Sequence, residues 1–492
     1  MTALSPPARR LKDAPLLIGD RWVAAASGGS REHLYPATGL PQAQIALGGS
    51  EEIDAAVAAA RSALPAWRAL GGDERRKQLL RLEAVLEEHA VELAEIQTLE
   101  SGIPIAWTAG TPALAASWFG YFAGWADKLE GAMIPTFPQR GLDYTILEPY
   151  GVVGLITPWN APLTILAFKL PAALAAGNTV VVKPSELAPF STIRFAELAL
   201  EAGLPPGVLN VVAGGPEAGD RLVRHPDVRK VSFTGGISTA RKIIEASAET
   251  VTPLTLELGG KAANLLFADA DLDQFVPAAA IMGMLAMSGQ GCGCPTRLMV
   301  QDEIYDETLE RLLAFAREAT NAGDLLDPAT TFGPLITEAS CDRVLQIVDE
   351  ARREGTGELL TGGGRMGGAH AGGFYVEPTV FTEVPAESPI AQMEIFGPVL
   401  SVMRLSTEEE AIELANSTTY GLGHFVNTRD LNRAHTLAAA LEAGTVWVNG
   451  FSGAPPGTPL GGYRQSGFGR EGGRAGLDEF LQVKNVYIAG IG

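Results

Sequence analysis

The sequence predicts an α/β fold: a Rossmann-like parallel-sheet domain, a second α/β domain and a small β flap. Three observations predict it. Between residues 150 and 260, short apolar β-branched runs alternate with helix-length segments, and a second alternation of this kind follows residue 260. Two extended segments, near 131–147 and 480–488, fit neither block. Continuous apolar strands separated by helices indicate a parallel sheet covered on both faces. The chain has 492 residues, which at roughly 150 per domain leaves room for about three units.

Ser50 reads as an N-cap, with Glu51 and Glu52 where a helix start favours negative charge. Ile53, Val57, Ala60 and Leu64 then recur at helical spacing. A second amphipathic helix is expected from Asp73 to Glu100, with Leu79, Leu82, Leu86 and Leu93 inward and Gly102 and Pro104 as its stop. Residues 127–148 read as a hairpin, with Gly131–Phe137 and Leu142–Leu147 around a turn at Gln139-Arg140-Gly141. Strands follow at Val152–Thr157, Thr179–Lys183, Val208–Val212, Lys230–Phe233 and Pro253–Glu257. Helices are expected between them at 162–176, 191–202, 217–224 and 237–248. Gly177 and Gly203 stand where left-handed C-caps are needed, and Pro171 should kink or shorten its helix.

In the second block, Ala262–Phe267 reads as a strand, Leu272–Met287 as a buried helix and Glu303–Thr320 as a helix with a polar face. Helices at 337–354, 407–417 and 430–441 then alternate with strands at 374–381, 398–405, 422–427 and 444–449. Thr361–Gly373 reads as a surface loop, because no helix follows it to receive a phosphate. Phe480–Ile488 is a lone strand. Unpaired strand edges need cover, so a small sheet shared between subunits is expected, and with it a homodimer or homotetramer.

With 57 acidic against 37 basic residues the formal charge is -20, and such a field repels polyanions and anionic membrane surfaces. Nucleic-acid and membrane partners are therefore not expected. Three cysteines cannot form a disulfide framework for this length. The start of the chain, with Arg9, Arg10 and Lys12, lacks the apolar core of a signal peptide, and Val276–Met287 is shorter than a membrane span of about 20 residues. The expectation is a soluble, cytoplasmic protein.

The strands lead into Thr157-Pro158-Trp159-Asn160, Lys183-Pro184-Ser185-Glu186, Ala213-Gly214-Gly215, Thr234-Gly235-Gly236 and Glu257-Leu258-Gly259-Gly260-Lys261. Ligands of open α/β sheets bind beyond the carboxyl ends of strands, so this edge should hold a nucleotide-sized site. Gly289-Gln290-Gly291-Cys292 places a cysteine after flexible glycines at a helix end, where a thiol can be presented as a nucleophile. Cys292 and Cys294 also fit the role of small apolar residues in a packed turn. Glu257 and Glu394, the latter in Glu394-Ile395-Phe396-Gly397-Pro398, are carboxylate partners for such a thiol.

Together with Phe233-Thr234-Gly235 and Ser466-Gly467-Phe468-Gly469-Arg470-Glu471, these motifs resemble the aldehyde dehydrogenase superfamily, in its order and over almost the full chain. The resemblance implies that fold, with 1–126 and 149–257 as the NAD-binding domain and 258–470 as the catalytic domain. Segments 127–148 and 471–492 would bridge subunits. It implies NAD-dependent oxidation of a small-molecule aldehyde to the acid, of the hydrolytic, non-acylating type. Cys292 would attack the aldehyde, and Asn160, with the Cys292 backbone N–H, would stabilise the oxyanion. Glu257 would activate water, and Lys169 would line a proton route. Lys183 and Glu186 would meet the adenosine ribose, and Glu394 the nicotinamide ribose. Phe396 and Trp159 would lie by the nicotinamide, and Gly235 and Gly236 by the pyrophosphate. Ile156, Thr157, Ser185, Gly215, Phe233, Thr234 and Leu258 complete the implied cofactor set, and no metal is implied. A carboxylate at Glu186 suits a free ribose 2′-hydroxyl and repels a 2′-phosphate, favouring NAD over NADP.

Several positions depart from the family pattern: Gly236 replaces a Ser, Leu285 and Met287 a Phe and an Asn, Cys294 an Ala, and Arg464 a Lys. Around the implied aldehyde tunnel stand Ala161, Thr164, Ile165, Phe168, Ala286, Gly291, Gly293, Ala454 and Leu460, with no arginine for a second carboxylate. A bulky or apolar aldehyde is the expected substrate. The rival readings are a carboxylate-bearing semialdehyde, an NADP-preferring or phosphorylating relative, an esterase and a catalytically silent homologue.

Overall fold

The computed structural model describes residues 10–138 and 140–489. Arg9 and Gln139, used above for the terminal charge and the hairpin turn, lie outside the described residues. The first block forms an eight-stranded sheet in the order Gly467–Phe468, Leu254–Glu257, Val228–Thr234, Val152–Thr157, Thr179–Pro184, Leu209–Val211, Leu16–Ile18, Arg21–Val23. The five expected strands run parallel at its centre, and the added edge strands are antiparallel. Helices Pro162–Ala175, Phe190–Glu201, Pro216–Arg224 and Ile237–Ser247 lie between them in the chain. Val152–Thr157 is fully buried, as an apolar strand covered on both faces should be.

Register decides the functional edge. Ile156 pairs with Lys183 on one side and Phe233 on the other, while Thr234 pairs with Glu257. Strand Val152–Thr157 sits between the strand that follows it and one two crossovers later, so the order reverses there. The crevice of such a sheet opens at that reversal.

The second sheet has seven strands in the order Glu358–Thr361, Thr379–Thr382, Val399–Leu405, Arg297–Gln301, Ala263–Leu266, Gly423–Asn427, Thr445–Val448. All pairs in it are parallel except the first. Arg297–Gln301 and Glu358–Thr361 were not expected from the sequence, nor were the strand pair Ser30–Tyr35 and Leu40–Ala46 or the helix Thr111–Ala123. The expected strand at 374–381 is ordered as a strand only over Thr379–Thr382.

Several expectations are corrected by tertiary context. The first helix is capped by Gly49 instead of Ser50, with Glu52 accepting the Gly49 N–H at 2.9 Å, and it runs through Pro65 to Ala69. The helix read as Asp73–Glu100 is two, Gly72–Glu88 and Ala90–Ser101, parted at His89, whose backbone leaves helical geometry. Pro171 does not shorten its helix, which continues to Ala175 because residues 170–175 are packed in the core. The buried helix from Leu272 is regular only to Ala280. A π segment, Ile281–Leu285, and a tight turn, Ala286–Gly289, follow, with Met287 and Ser288 at φ 53 and 52. Taken together, Leu272–Gly289 is long and apolar enough by composition to cross a bilayer, whereas Val276–Met287 alone is too short. Half of this run is buried inside the fold, and a Cβ at Gly283 would lie 2.9 Å from a Leu400 methyl.

Phe480–Ile488 is not a lone strand. Leu481–Ala489 pairs antiparallel with Gly141–Pro149 over its whole length, and Met133–Ile134 completes a three-stranded sheet. One edge of each segment is thus satisfied within the chain, without a second subunit.

Candidate active site

A cavity of about 420 Å³ opens at the strand ends where the sheet order reverses, a volume suited to a small-molecule ligand. Its walls include Ile156, Thr157, Trp159, Lys183, Ser185, Glu186, Gly215, Phe233, Thr234, Gly235 and Gly236. Leu258, Glu394 and Phe396 are outside those walls and belong to the adjoining seam described below. The sequence reading missed two walls, Pro216, Gly219, Asp220 and Val223 on one helix and Thr239, Lys242, Ile243 and Ala246 on the next. Both sets recur at three- and four-residue spacing, so each is one helical face. That periodicity was available in the sequence.

Lys183 is buried and donates to the carbonyls of Pro184 and Gly214. Burial pulls its pKa down, and Glu186 works in the opposite direction. The Thr157 and Thr234 hydroxyls are buried with no hydrogen-bond partner. Unsatisfied buried polar atoms are costly, and here they line the cavity as groups that a polar ligand would satisfy. A Cβ at Gly215 or Gly236 would meet nothing within 4 Å, so backbone at these points is open to close approach.

The seam between the two sheets holds the candidate catalytic residues. Gln290 ties down the cysteine turn: its amide donates to the Met287 and Pro334 carbonyls, and its oxygen accepts the Ile336 N–H at 3.0 Å. Asn160 donates to the Gln290 carbonyl at 2.8 Å, which leaves its second amide N–H for another acceptor. Gly289 and Gly260 allow the close packing that forms this seam. A Cβ on the first would lie 2.1 Å from the Gly397 carbonyl oxygen, and one on the second 2.5 Å from that of Cys292. Met287, Ser288 and Phe396 all have φ between 52 and 55, a concentration of backbone strain of the kind found at functional sites.

Cys292 is half-buried in this turn, and burial, with the Glu394 carboxylate next in weight, pushes its thiol up to about 12. It rests as the thiol and needs a proton acceptor to react. Glu394 accepts the Gly260 N–H at 3.1 Å, and burial pushes its carboxyl up to about 7. The Phe396 ring meets Trp159 edge-on at 5.4 Å, joining the two sheets across the seam.

Glu257 has one carboxylate oxygen buried without a partner. Burial first, then the nearby Glu471 charge, push its carboxyl well above the ordinary carboxylate range, while Lys169 and Arg470 pull it back. Lys169 is wholly buried, not solvated: it pairs with Glu471 and donates to Ser232 Oγ at 2.9 Å. Glu471 was quoted in the sequence only as part of a motif, and the fold makes it the partner of Lys169. The same motif laces the Glu257 turn, with the Ser466 carbonyl accepting the Leu258 N–H and Ser466 Oγ donating to the Gly259 carbonyl. Lys261 is also buried there, its ammonium nitrogen unpaired, and burial pulls it down to about 7.

The crevice at the strand ends adjoins a seam that holds a half-buried cysteine on a strained turn and a buried glutamate, an arrangement of the kind oxidoreductases use. A profile of the Aldehyde dehydrogenase family matches residues 22–486. The chain is 41% identical to betaine aldehyde dehydrogenase of Rhizobium etli (strain CIAT 652), with 96% of each chain covered. Among solved structures, it matches the NAD-dependent aldehyde dehydrogenase from Sinorhizobium meliloti with a TM-score of 0.95 and 39% identity, covering 99% of this chain and 97% of that one. It matches PnpE in complex with nicotinamide adenine dinucleotide with a TM-score of 0.94 and 42% identity over 98% of both chains, and PnpE from Pseudomonas sp. WBC-3 with the same score and identity over 98% of this chain and 99% of that one. The chain belongs to the aldehyde dehydrogenase family.

Proposed function

We propose that the protein oxidises an aldehyde to its carboxylic acid with NAD. The observation that carries this is the seam: Cys292, Asn160 and Glu257 converge beside a crevice lined by unpartnered hydroxyls. Residues 1–126 and 149–257 would form the cofactor domain, 258–470 the catalytic domain, and 127–148 with 471–492 the bridging segments.

Lys183, Ser185 and Glu186 would hold the adenosine ribose, and Gly215, Gly235 and Gly236 would let backbone N–H groups reach the pyrophosphate. Ile156, Thr157, Trp159, Phe233, Thr234, Leu258, Glu394 and Phe396 would hold the nicotinamide half. When bound, NAD supplies the acceptor for the hydride. Glu186 favours NAD over NADP, because its charge opposes a 2′-phosphate.

Cys292 gives its proton to a carboxylate and attacks the aldehyde carbon. The free amide N–H of Asn160 and the Cys292 backbone N–H stabilise the resulting oxyanion, and losing one such donor typically costs about a hundred- to a thousand-fold in rate. After hydride departure a thioester remains on Cys292. Glu257, made a good base by burial, takes a proton from the water that hydrolyses it. The Lys169–Glu471 pair beside Glu257 offers a path for that proton.

Ala161, Thr164, Phe168, Ala286, Gly291, Gly293, Ala454 and Leu460 are all half-buried, as the lining of an open channel would be. Phe168 stacks on buried Trp118 at 4.3 Å, so one aromatic face meets mostly aliphatic neighbours. Quaternary ammonium groups are held by several aromatic faces, and no arginine stands among these residues for a carboxylate. Both points favour an aromatic or medium-chain aldehyde over betaine aldehyde or an acidic semialdehyde. Exposed Val483, Tyr487 and Ile488 on the three-stranded sheet support a homodimer or homotetramer.

The test is a spectrophotometric screen of these aldehyde classes with NAD and with NADP, without phosphate or thiol acceptor. Apolar aldehydes with NAD should give the highest kcat/KM, and Cys292→Ala should abolish it. Faster turnover of carboxylate-bearing aldehydes would overturn the substrate class, and turnover by Cys292→Ala would overturn the mechanism.

A further inference from the structure

We propose that Cys294 is a resolving thiol for Cys292, so that reaction with a peroxide ends in a reversible disulfide between the two. All three cysteines are free thiols, and Cys341 is buried on the helix Glu338–Glu354, in a different part of the second block. Cys292 and Cys294 share one tight turn, closed by the Cys294 N–H to the Gly291 carbonyl at 3.2 Å. The Cys294 carbonyl is held by the Thr296 N–H at 2.9 Å. Its sulfur folds back over the turn, 2.7 Å from where a Cβ on Gly291 would stand. Both residues are half-buried in the turn. A disulfide needs Cα atoms within roughly 4.4–6.8 Å. Consecutive Cα atoms are about 3.8 Å apart, so residues separated by one in a folded turn come within that reach. Gly293 lies between them, and a Cβ there would meet nothing within 4 Å, leaving room for the backbone to adjust.

The chemistry balances with hydrogen peroxide as oxidant. The Cys292 sulfur attacks one peroxide oxygen, the O–O bond breaks, and hydroxide leaves to be protonated to water. Sulfur is oxidised by two electrons to the sulfenic acid. The Cys294 sulfur, giving up its proton, attacks Cys292 sulfur. An S–S bond forms, the S–OH bond breaks, and the released hydroxide takes that proton as a second water. Thiol exchange with a reductant restores both thiols. Without a neighbouring thiol, sulfenic acid proceeds to sulfinic acid, which ordinary thiols do not reverse.

The proposal uses Cys292 as the accessible nucleophile of the reading above, but its first readout is independent of turnover. The full-length protein is treated with hydrogen peroxide, and the peptide carrying both cysteines is weighed. It should lose two hydrogens and regain them with dithiothreitol, while Cys341 stays unlinked. Sulfinic acid on Cys292 with no linked species would overturn the proposal, whatever the protein's activity. In parallel, each variant's activity is compared with its own untreated value. Wild-type protein should regain at least about ten-fold more of its activity on reduction than Cys294→Ser or Cys294→Ala. Equal recovery in the variants would also overturn it.

Discussion

Glu257, proposed as the base that activates water, has one carboxylate oxygen buried without a hydrogen-bond partner. Burial favours its neutral form, whereas a general base works only when ionised. The hydrolytic step should therefore quicken with rising pH and level off above the raised pKa, which a pH profile of kcat will show. Glu257→Gln should lower steady turnover by at least about a hundred-fold yet keep a stoichiometric burst of reduced cofactor, since hydride departs before hydrolysis. Loss of the burst as well would assign Glu257 to the thiol step. Lys169 shows where sequence reasoning stops at this scale. Its position in a helix after Asn160 was legible, but a partner 302 residues away was not. A buried ion pair is a tertiary event with no local periodicity to announce it.

Helix Ser50–Ala69 illustrates how boundaries escape local rules. Ser50 has the chemistry of an N-cap, but the cap is Gly49, because Glu52 reaches back to the Gly49 N–H and to Ser27. Glu52→Ala removes that reach-back bond and should cost about 1 kcal/mol, read as a lowered unfolding midpoint with unchanged KM for aldehyde. The five central strands were legible within a residue or two, because each carries a short apolar, β-branched run between helix-length segments. Arg297–Gln301 was not, since its apolar run is only three residues long and opens on the charged Arg297. Its guanidinium is buried, donating to the carbonyls of Lys261, Leu414 and Ala415. The break after Ala280 was hidden for the opposite reason: Phe275–Met287 carries no polar residue, so nothing local marks where the π segment and the tight turn begin.

For the molecule as a whole, buried charge sets a pH response. Glu100, at the start of helix Phe190–Glu201, accepts the N–H groups of Phe190 and Ser191, yet burial pushes it from 4.5 up to about 8. The folded state keeps this proton while the unfolded chain gives it up, so its contribution falls as pH rises through that interval. The stability of wild type relative to Glu100→Gln should therefore shrink from pH 4.5 to about 8, measured by denaturant titration at several pH values. A difference that is flat across the interval would mean Glu100 is already ionised in the fold.

The sequence by itself determined the two alternating α/β blocks and the glycine-rich strand ends, and it supplied the candidate reactive side chains, because period, turn chemistry and residue type are local properties. Only the tertiary structure decided that Leu481–Ala489 covers Gly141–Pro149, that Lys169 is spoken for by Glu471, and that Cys294 lies over the turn bearing Cys292. Those outcomes depend on which distant segments share a buried space, and burial is a property of the whole chain.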